Sequence, residues 1–204
     1  MQPYSFVYLA SASPRRAQLL SQLGVAHRPL LADRTEDAEK LEEERSGEPA
    51  ADYVRRVTLA KLQAARARLA KRKLPEAPIL AADTTVVLGR RMLAKPRDPA
   101  HAAEMLRALS GRSHRVMTAV AVSAGRSNLL DVNVSRVRFA ELSERSIQHY
   151  IDSGEPQGKA GAYAIQGRIA AWIEHIEGSY SGIMGLPLFE TTRLLARAHV
   201  RMDL

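Results

Sequence analysis

This sequence predicts an α/β or α+β domain, and two observations carry that prediction. Short β-branched or apolar runs alternate with stretches of helical periodicity along the whole chain, the pattern of a sheet covered by helices rather than of a bundle or a sandwich. A length of 204 residues with 46% apolar content is enough for one substantial core. No repeat, low-complexity segment or long linker divides the chain, so residues 1–204 are expected to form a single domain.

The elements follow in order. Phe6–Ala10, FVYLA, reads as the first strand. SPRRAQLLSQLG then reads as a helix, with Ser13 as N-cap, Pro14 at the first helical position, where a missing N–H costs nothing, and Gly24 as terminator. Asp33–Pro49 is acidic and short of apolar positions, which predicts an excursion or flexible loop. A long helix runs from there to about Lys73, before LPEAP stops it. PILAAD predicts a buried strand, and TVVLGRRML a hairpin turning at Gly89. RDPAHAAEMLRALSG carries full helix punctuation, with Asp98 as cap, Pro99 at the first position and Gly111 just past the end. HRVMTAVAVS and LLDVNVSRVRF predict strands joined at Ala124–Asn128, and SERSIQHYIDSG a helix capped by Ser143. AGAYAIQG and AAWIEHIEG predict two more strands, and LPLFETTRLLARA a helix opened by Pro187.

Composition narrows the chemistry. There is no cysteine, which removes disulfides, thiolate metal sites and cysteine nucleophiles and fits a reducing compartment. Phe6–Ala10 is too short for a signal-peptide core, has no basic residue before it, and no run of 18 apolar residues occurs, so a cytoplasmic protein with no membrane partner is expected. The net charge of +8 favours anionic partners. Eight basic residues and no acid lie between Tyr53 and Lys73, whereas EDAEKLEEE, Glu36–Glu44, is mostly acidic; a solvated helix face beside an acidic loop accounts for most of these charges. Three Phe, one Trp and no groove-reading motif make nucleic acid a poor candidate partner.

Four features look like chemistry. A strand ending in Ser-x-Ser-Pro-Arg and opening a helix offers backbone N–H groups, the hydroxyl of Ser11 and the guanidinium of Arg16 to one point, as phosphate sites at helix N-termini do, although an ordinary Ser-Pro cap with surface arginines has the same letters. Lys61 falls inside the apolar stripe of Val54, Val57, Leu62, Ala65 and Leu69; it either snorkels to the helix edge or reaches an anion in a partly buried site. Asp83 emerges at the end of ILAAD, where open α/β sheets place ligands, and suits a metal ligand or general base as well as a turn cap. Lys95 in LAKPRD could return to the same edge. Gln166, between small residues in KAGAYAIQG, sits where a ligand or another backbone can approach closely. The six histidines show no ligand spacing that would suggest zinc.

These segments, in this order and at these spacings, resemble the Maf-type nucleoside triphosphate pyrophosphatases. The resemblance runs from LASASPRRAQLLSQLGV through AADTTVVL, LAKPRD, AEMLRALSGRSHRVMTAVAV and EPQGKAGAYAIQG to GSYSGIMGLPLFET. It implies a single α/β domain with an elongated mixed sheet flanked by helices, two lobes around a nucleotide cleft, and a homodimer. It also implies hydrolysis of a nucleoside triphosphate to the monophosphate and pyrophosphate, dependent on a divalent cation, Mg2+ or Mn2+. The family's phosphate-binding positions fall on Ser11, Arg16, Lys61 and Lys95, and its proton acceptor on Asp83. Its early metal-binding glutamate falls on Glu36, with Asp33 and Asp37 as rivals, because LADRTEDAEKLEEE is longer and more acidic than usual.

The resemblance also implies a base. Where the methylated-guanosine branch has an aromatic, a glutamine and a glutamate, this chain has Arg15, Thr84 and Gln166, like the dTTP and UTP branch. The chemistry agrees: thymine and uracil present an acceptor, an N–H donor and another acceptor, and a carboxamide matches an adjacent donor and acceptor pair, whereas a carboxylate suits guanine's donor edge. A buried amide left unpaired costs about 1–3 kcal/mol, so Gln166 should discriminate by roughly one to two orders of magnitude. A nucleotide-binding regulatory protein with vestigial hydrolysis, or an enzyme for another modified nucleotide, are the competing expectations.

Overall fold

The computed structural model describes every residue except Met1, Arg34, Thr35, Ala38, Glu39, Arg126 and Leu204. Among the described residues the order is β1 (Val7–Leu9), α1 (Pro14–Gln22), β2 (His27–Pro29), α2 (Ala50–Lys71), β3 (Ile79–Leu88), β4 (Arg91–Leu93), α3 (Pro99–Leu109), β5 (Ser113–Ala124), β6 (Ser127–Phe139), α4 (Glu144–Asp152), β7 (Ile173–Glu177), α5 (Tyr180–Met184) and α6 (Leu188–Arg197). The strands hydrogen-bond in the order β2-β1-β3-β5-β6-β7, with β4 on β3. β1 runs parallel to β2 and β3, while β4 on β3 and β7 on β6 are antiparallel. The sheet is therefore mixed, and the expected α/β class is what the chain forms.

The structure differs from the sequence expectation in three places. β3 is one ten-residue strand that continues through Asp83 and Thr84 to Leu88, instead of ending at Asp83 before a separate hairpin arm. Its residues are buried except for the half-buried Thr84 and Leu88, as expected of a strand covered on both faces. AGAYAIQG is not a strand: Ala160–Ala162 forms a 3-10 turn around Gly161 (φ 68°), and the chain turns again at Ile165 and Gln166. Small residues without a β-branched run give that segment little strand preference. β2 and α5, of three and five residues, are too short to leave a periodic signal. Within the Asp33–Pro49 excursion a 3-10 turn spans Lys40–Glu42, and the four undescribed residues of that stretch, with Arg126 of the Ala124–Asn128 connection, lie outside the described residues.

The chain forms two compact units. Unit 1 comprises Met1–Asp83, Thr118–Asn133 and Gly185–Leu204. Its core packs Leu62 and Ala65 of α2 against Tyr8, Leu30, Ile79, Ala81 and Ala121. Val54, Val57, Leu62 and Ala65 are all fully buried, as their helical spacing requires, and each such valine or leucine contributes about 1.5–3 kcal/mol. α2 starts at Pro49 without a side-chain cap, so packing and not capping holds its start. α1 has Ser13 at its cap position and Pro14 at its first turn, but the Ser13 hydroxyl makes no cap bond. Its own N–H instead donates to Ser11 Oγ at 3.2 Å.

Unit 2 comprises Thr84–Met117 and Val134–Met184. Here the predicted caps form: Asp98 Oδ1 accepts from the His101 N–H at 2.7 Å and Ser143 Oγ from the Ser146 N–H at 3.1 Å. α3 packs on α4. In the same unit the rings of His114, Phe139 and Tyr163 meet edge to face, with centroids 5.0–5.4 Å apart.

Candidate active site

In unit 1 the chain leaves β1 at Leu9 and reaches α1 within four residues, which concentrates polar groups at one junction. Ser11 Oγ accepts from the Ser13 N–H and, at 3.1 Å, from Arg16 Nη1. Arg16 Nε donates to the Gly185 carbonyl at 2.7 Å, so the guanidinium is held from two sides. Burial pulls the Arg16 pKa below its ordinary value; Asp83 opposes that shift, Arg15 adds to it and Glu42 opposes it. Those four side chains thus share one electrostatic neighbourhood.

Lys61 resolves the question its position raised. Its stem lies along the buried face of α2, and its ammonium donates to Glu42 Oε1 at 2.7 Å and to Asp83 Oδ1 at 2.6 Å. The three side chains are 18%, 24% and 9% exposed, so the pairs are partly desolvated and stronger than surface ion pairs. Tyr53, buried on the same helix, donates its phenol to the Glu42 carbonyl at 2.9 Å and fixes the backbone there. Burial raises the Tyr53 phenol pKa, and Asp83 and Glu42 add to that rise.

Glu36 lies elsewhere in unit 1. Its two oxygens accept from Arg68 Nε and Nη2 at 2.8 and 2.6 Å, a fork-to-fork pair, and Arg68 also donates to the Leu30 carbonyl at 2.6 Å. The hydrogen bond from Arg68 is the main reason the Glu36 pKa is lowered. Its rivals are engaged as well: Asp33 lies 3.7 Å from Arg72, and Asp37 Oδ1 accepts from the Lys40 N–H at 3.0 Å. The carboxylate that joins Lys61 and Asp83 is Glu42. Nothing in the letters of EDAEKLEEE separates it from its acidic neighbours; only the folded path of the excursion does.

Thr84, Lys95 and Gln166 belong to unit 2. Thr84 is half-buried on β3 directly after Asp83, Lys95 is exposed two residues past β4, and Gln166 is exposed at a turn. The backbone ties the last two segments together, since the Gly161 N–H donates to the Ala94 carbonyl at 3.2 Å. Gly161 is required there twice over, by its positive φ and because a Cβ would lie 2.9 Å from the methyl groups of Val86. Ser11, Arg15 and Arg16 thus gather at one junction and Lys61 and Asp83 make a direct pair, while Glu36 joins neither.

The site thus sets a serine and an arginine at the first strand-to-helix junction of a mixed α/β sheet, and a lysine on α2 shared by two carboxylates, one on β3 and one in the excursion before α2. The chain belongs to the Maf-like protein family, whose model matches residues 6–198. It is 56% identical over 198 residues to a dTTP/UTP pyrophosphatase of Cupriavidus pinatubonensis, covering 97% of this chain and 99% of the relative. A protein of the same name from Albidiferax ferrireducens is 58% identical over 190 residues, 93% of this chain and 95% of its own. Another from Ralstonia nicotianae is 57% identical over 201 residues, 98% and 97% of the two chains.

Proposed function

We propose that this protein hydrolyses dTTP and UTP, together with modified pyrimidine triphosphates that share their base edge, to the monophosphate and pyrophosphate. The observation that carries the chemistry is the Glu42–Lys61–Asp83 cluster within electrostatic reach of Arg16. The substrate rests on identities of 56–58% to the dTTP/UTP pyrophosphatases over nearly the whole chain.

The donor set suits a hard divalent cation. Glu42 and Asp83 already converge on a single cationic atom, and oxygen-only ligands fit Mg2+ or Mn2+. Mg2+ and Mn2+ complete their coordination with water and substrate phosphate oxygens. Glu42, in place of the Glu36 expected from the sequence, and Asp83 would hold it. When bound, the ion supplies charge neutralisation on the phosphates and polarises the reacting phosphorus.

This chain's own residues do the rest. Asp83 accepts the proton of the water that attacks the α-phosphorus, and Lys61, bonded to Asp83 and Glu42 together, fixes both carboxylates in direction. Arg16 offsets charge on the triphosphate and Ser11 holds its guanidinium in line, while a phosphate role for Lys95 rests on the family resemblance. Base selection is assigned to Arg15, Thr84 and Gln166 on the family resemblance. The same reading makes the enzyme a cytoplasmic homodimer that takes small nucleotides and not nucleic acid.

Pyrophosphate release from a panel of nucleoside triphosphates with Mg2+ or Mn2+ tests this, with Asp83→Asn as control. The expected result is turnover of dTTP and UTP that falls by at least about a hundredfold in the control. Turnover of a different nucleotide would overturn the specificity, and no turnover of any would leave nucleotide binding without hydrolysis as the function.

A further inference from the structure

The turn that carries Gln166 is held at both ends, and one of the groups holding it has no other evident task. The Gly167 N–H donates to the Ala164 carbonyl at 2.8 Å, which puts Ile165 and Gln166 at the tip. On the entry side the phenol oxygen of the buried Tyr150, on α4, accepts from the Ala164 N–H at 3.3 Å. On the exit side Glu155 Oε2 accepts from the Arg168 N–H at 3.0 Å, while Oε1 stands 3.6 Å from Arg168 Nε. The Glu155 backbone is itself fixed, its N–H donating to Ser153 Oγ at 3.2 Å and its carbonyl accepting from Lys159 Nζ.

Gly167 shows what the carboxylate is for. With φ −91° its backbone is open to any residue, so conformation does not require glycine. A Cβ on Gly167 would lie 2.1 Å from Glu155 Oε2, the movable end of that side chain, so an alanine here would push the carboxylate aside. The missing side chain is the seat of the Glu155 carboxylate. An exposed ion pair to Arg168 alone would be worth little, but an ionised carboxylate on a backbone N–H makes a charge-assisted bond that sets the path of the chain. Gln166 is exposed, so the turn and not packing directs its carboxamide.

We propose that Glu155 is a positioning residue for base selection, clamping the turn so that the Gln166 carboxamide meets the pyrimidine edge in one orientation. The proposal rests on the reading of Gln166 as the group that meets the base. Uracil and cytosine exchange donor and acceptor along that edge, so the ratio of kcat/KM for UTP to that for CTP reports the orientation, and a merely structural role would lower both together. Glu155→Ala should reduce the ratio about tenfold, chiefly through UTP. Glu155→Gln keeps an acceptor oxygen and should retain most of the ratio, whereas Gly167→Ala, whose methyl displaces Oε2, should match Glu155→Ala. Melting temperatures establish that each variant is folded, and if Glu155→Ala is not, Gly167→Ala decides. A folded variant with the clamp removed and the ratio unchanged, while Gln166→Ala loses it, overturns the role of Glu155 alone. An unchanged ratio in Gln166→Ala overturns the base reading and this proposal with it.

Discussion

Two glutamates six residues apart have opposite fates. Glu42 shares Lys61 with Asp83, and Glu36 is taken by Arg68, so exchanging each for glutamine separates chemistry from scaffolding. Glu42→Gln should lower pyrophosphate release about a hundredfold and raise the divalent-cation concentration needed for half-maximal turnover, whereas Glu36→Gln should show mainly as a lower melting temperature. Steady-state turnover beside thermal unfolding checks both. His114 makes a second residue-level prediction. Buried to 2% exposure with Nε2 2.7 Å from the Tyr163 hydroxyl, it has its pKa pushed down to about 4 by burial. Because the folded pKa lies below the unfolded one, the unfolded chain takes up the proton first on acidification. The contribution of His114 to stability is therefore whole above about pH 6.5 and lost as pH falls to about 4, by at most about 3 kcal/mol. Denaturant midpoints across that range should fall more steeply in the natural protein than in His114→Phe.

At the scale of elements, punctuation and packing divide the work. Ser143→Ala removes the acceptor for the Ser146 N–H and should cost about 1 kcal/mol by denaturant unfolding, while Ser13→Ala, whose hydroxyl caps nothing, should cost less. This contrast also marks how far the sequence could be read. α3 and α4 were legible because a cap, a proline or a terminating glycine bounds each periodic run. β5, β6 and α6 were legible because their apolar patterns are long. AGAYAIQG was not, because its shape is imposed by Gly161 against Val86 and by Tyr150 and Glu155, partners that no local window contains. The site divides in the same way. Lys61 and Asp83 stand out as a cation on an apolar face and an acid on an apolar strand, but Glu42 is one acid in a run of them, selected by the path of the Asp33–Pro49 excursion over α2.

At the scale of the whole molecule, the net charge of +8 draws a triphosphate toward the protein from a distance. kcat/KM for UTP should fall a few-fold between low and physiological ionic strength, with kcat almost unchanged. A fall of several orders of magnitude would be the signature of binding to a polymer of phosphates, not to a single nucleotide. The order of the chain has its own consequence. Unit 2 is complete once Met184 has been made, whereas unit 1 takes its first residues from the start of the chain and its last from Gly185 onward. The carbonyl that holds Arg16 belongs to Gly185, and the bridge that pairs Tyr4 with Val200 comes later still. During synthesis, then, the junction at Ser11 and Arg16 leaves the ribosome early and lacks its Gly185 partner until late. The order of synthesis and the order of assembly therefore run opposite here, because an early element is finished by a contact 169 residues downstream.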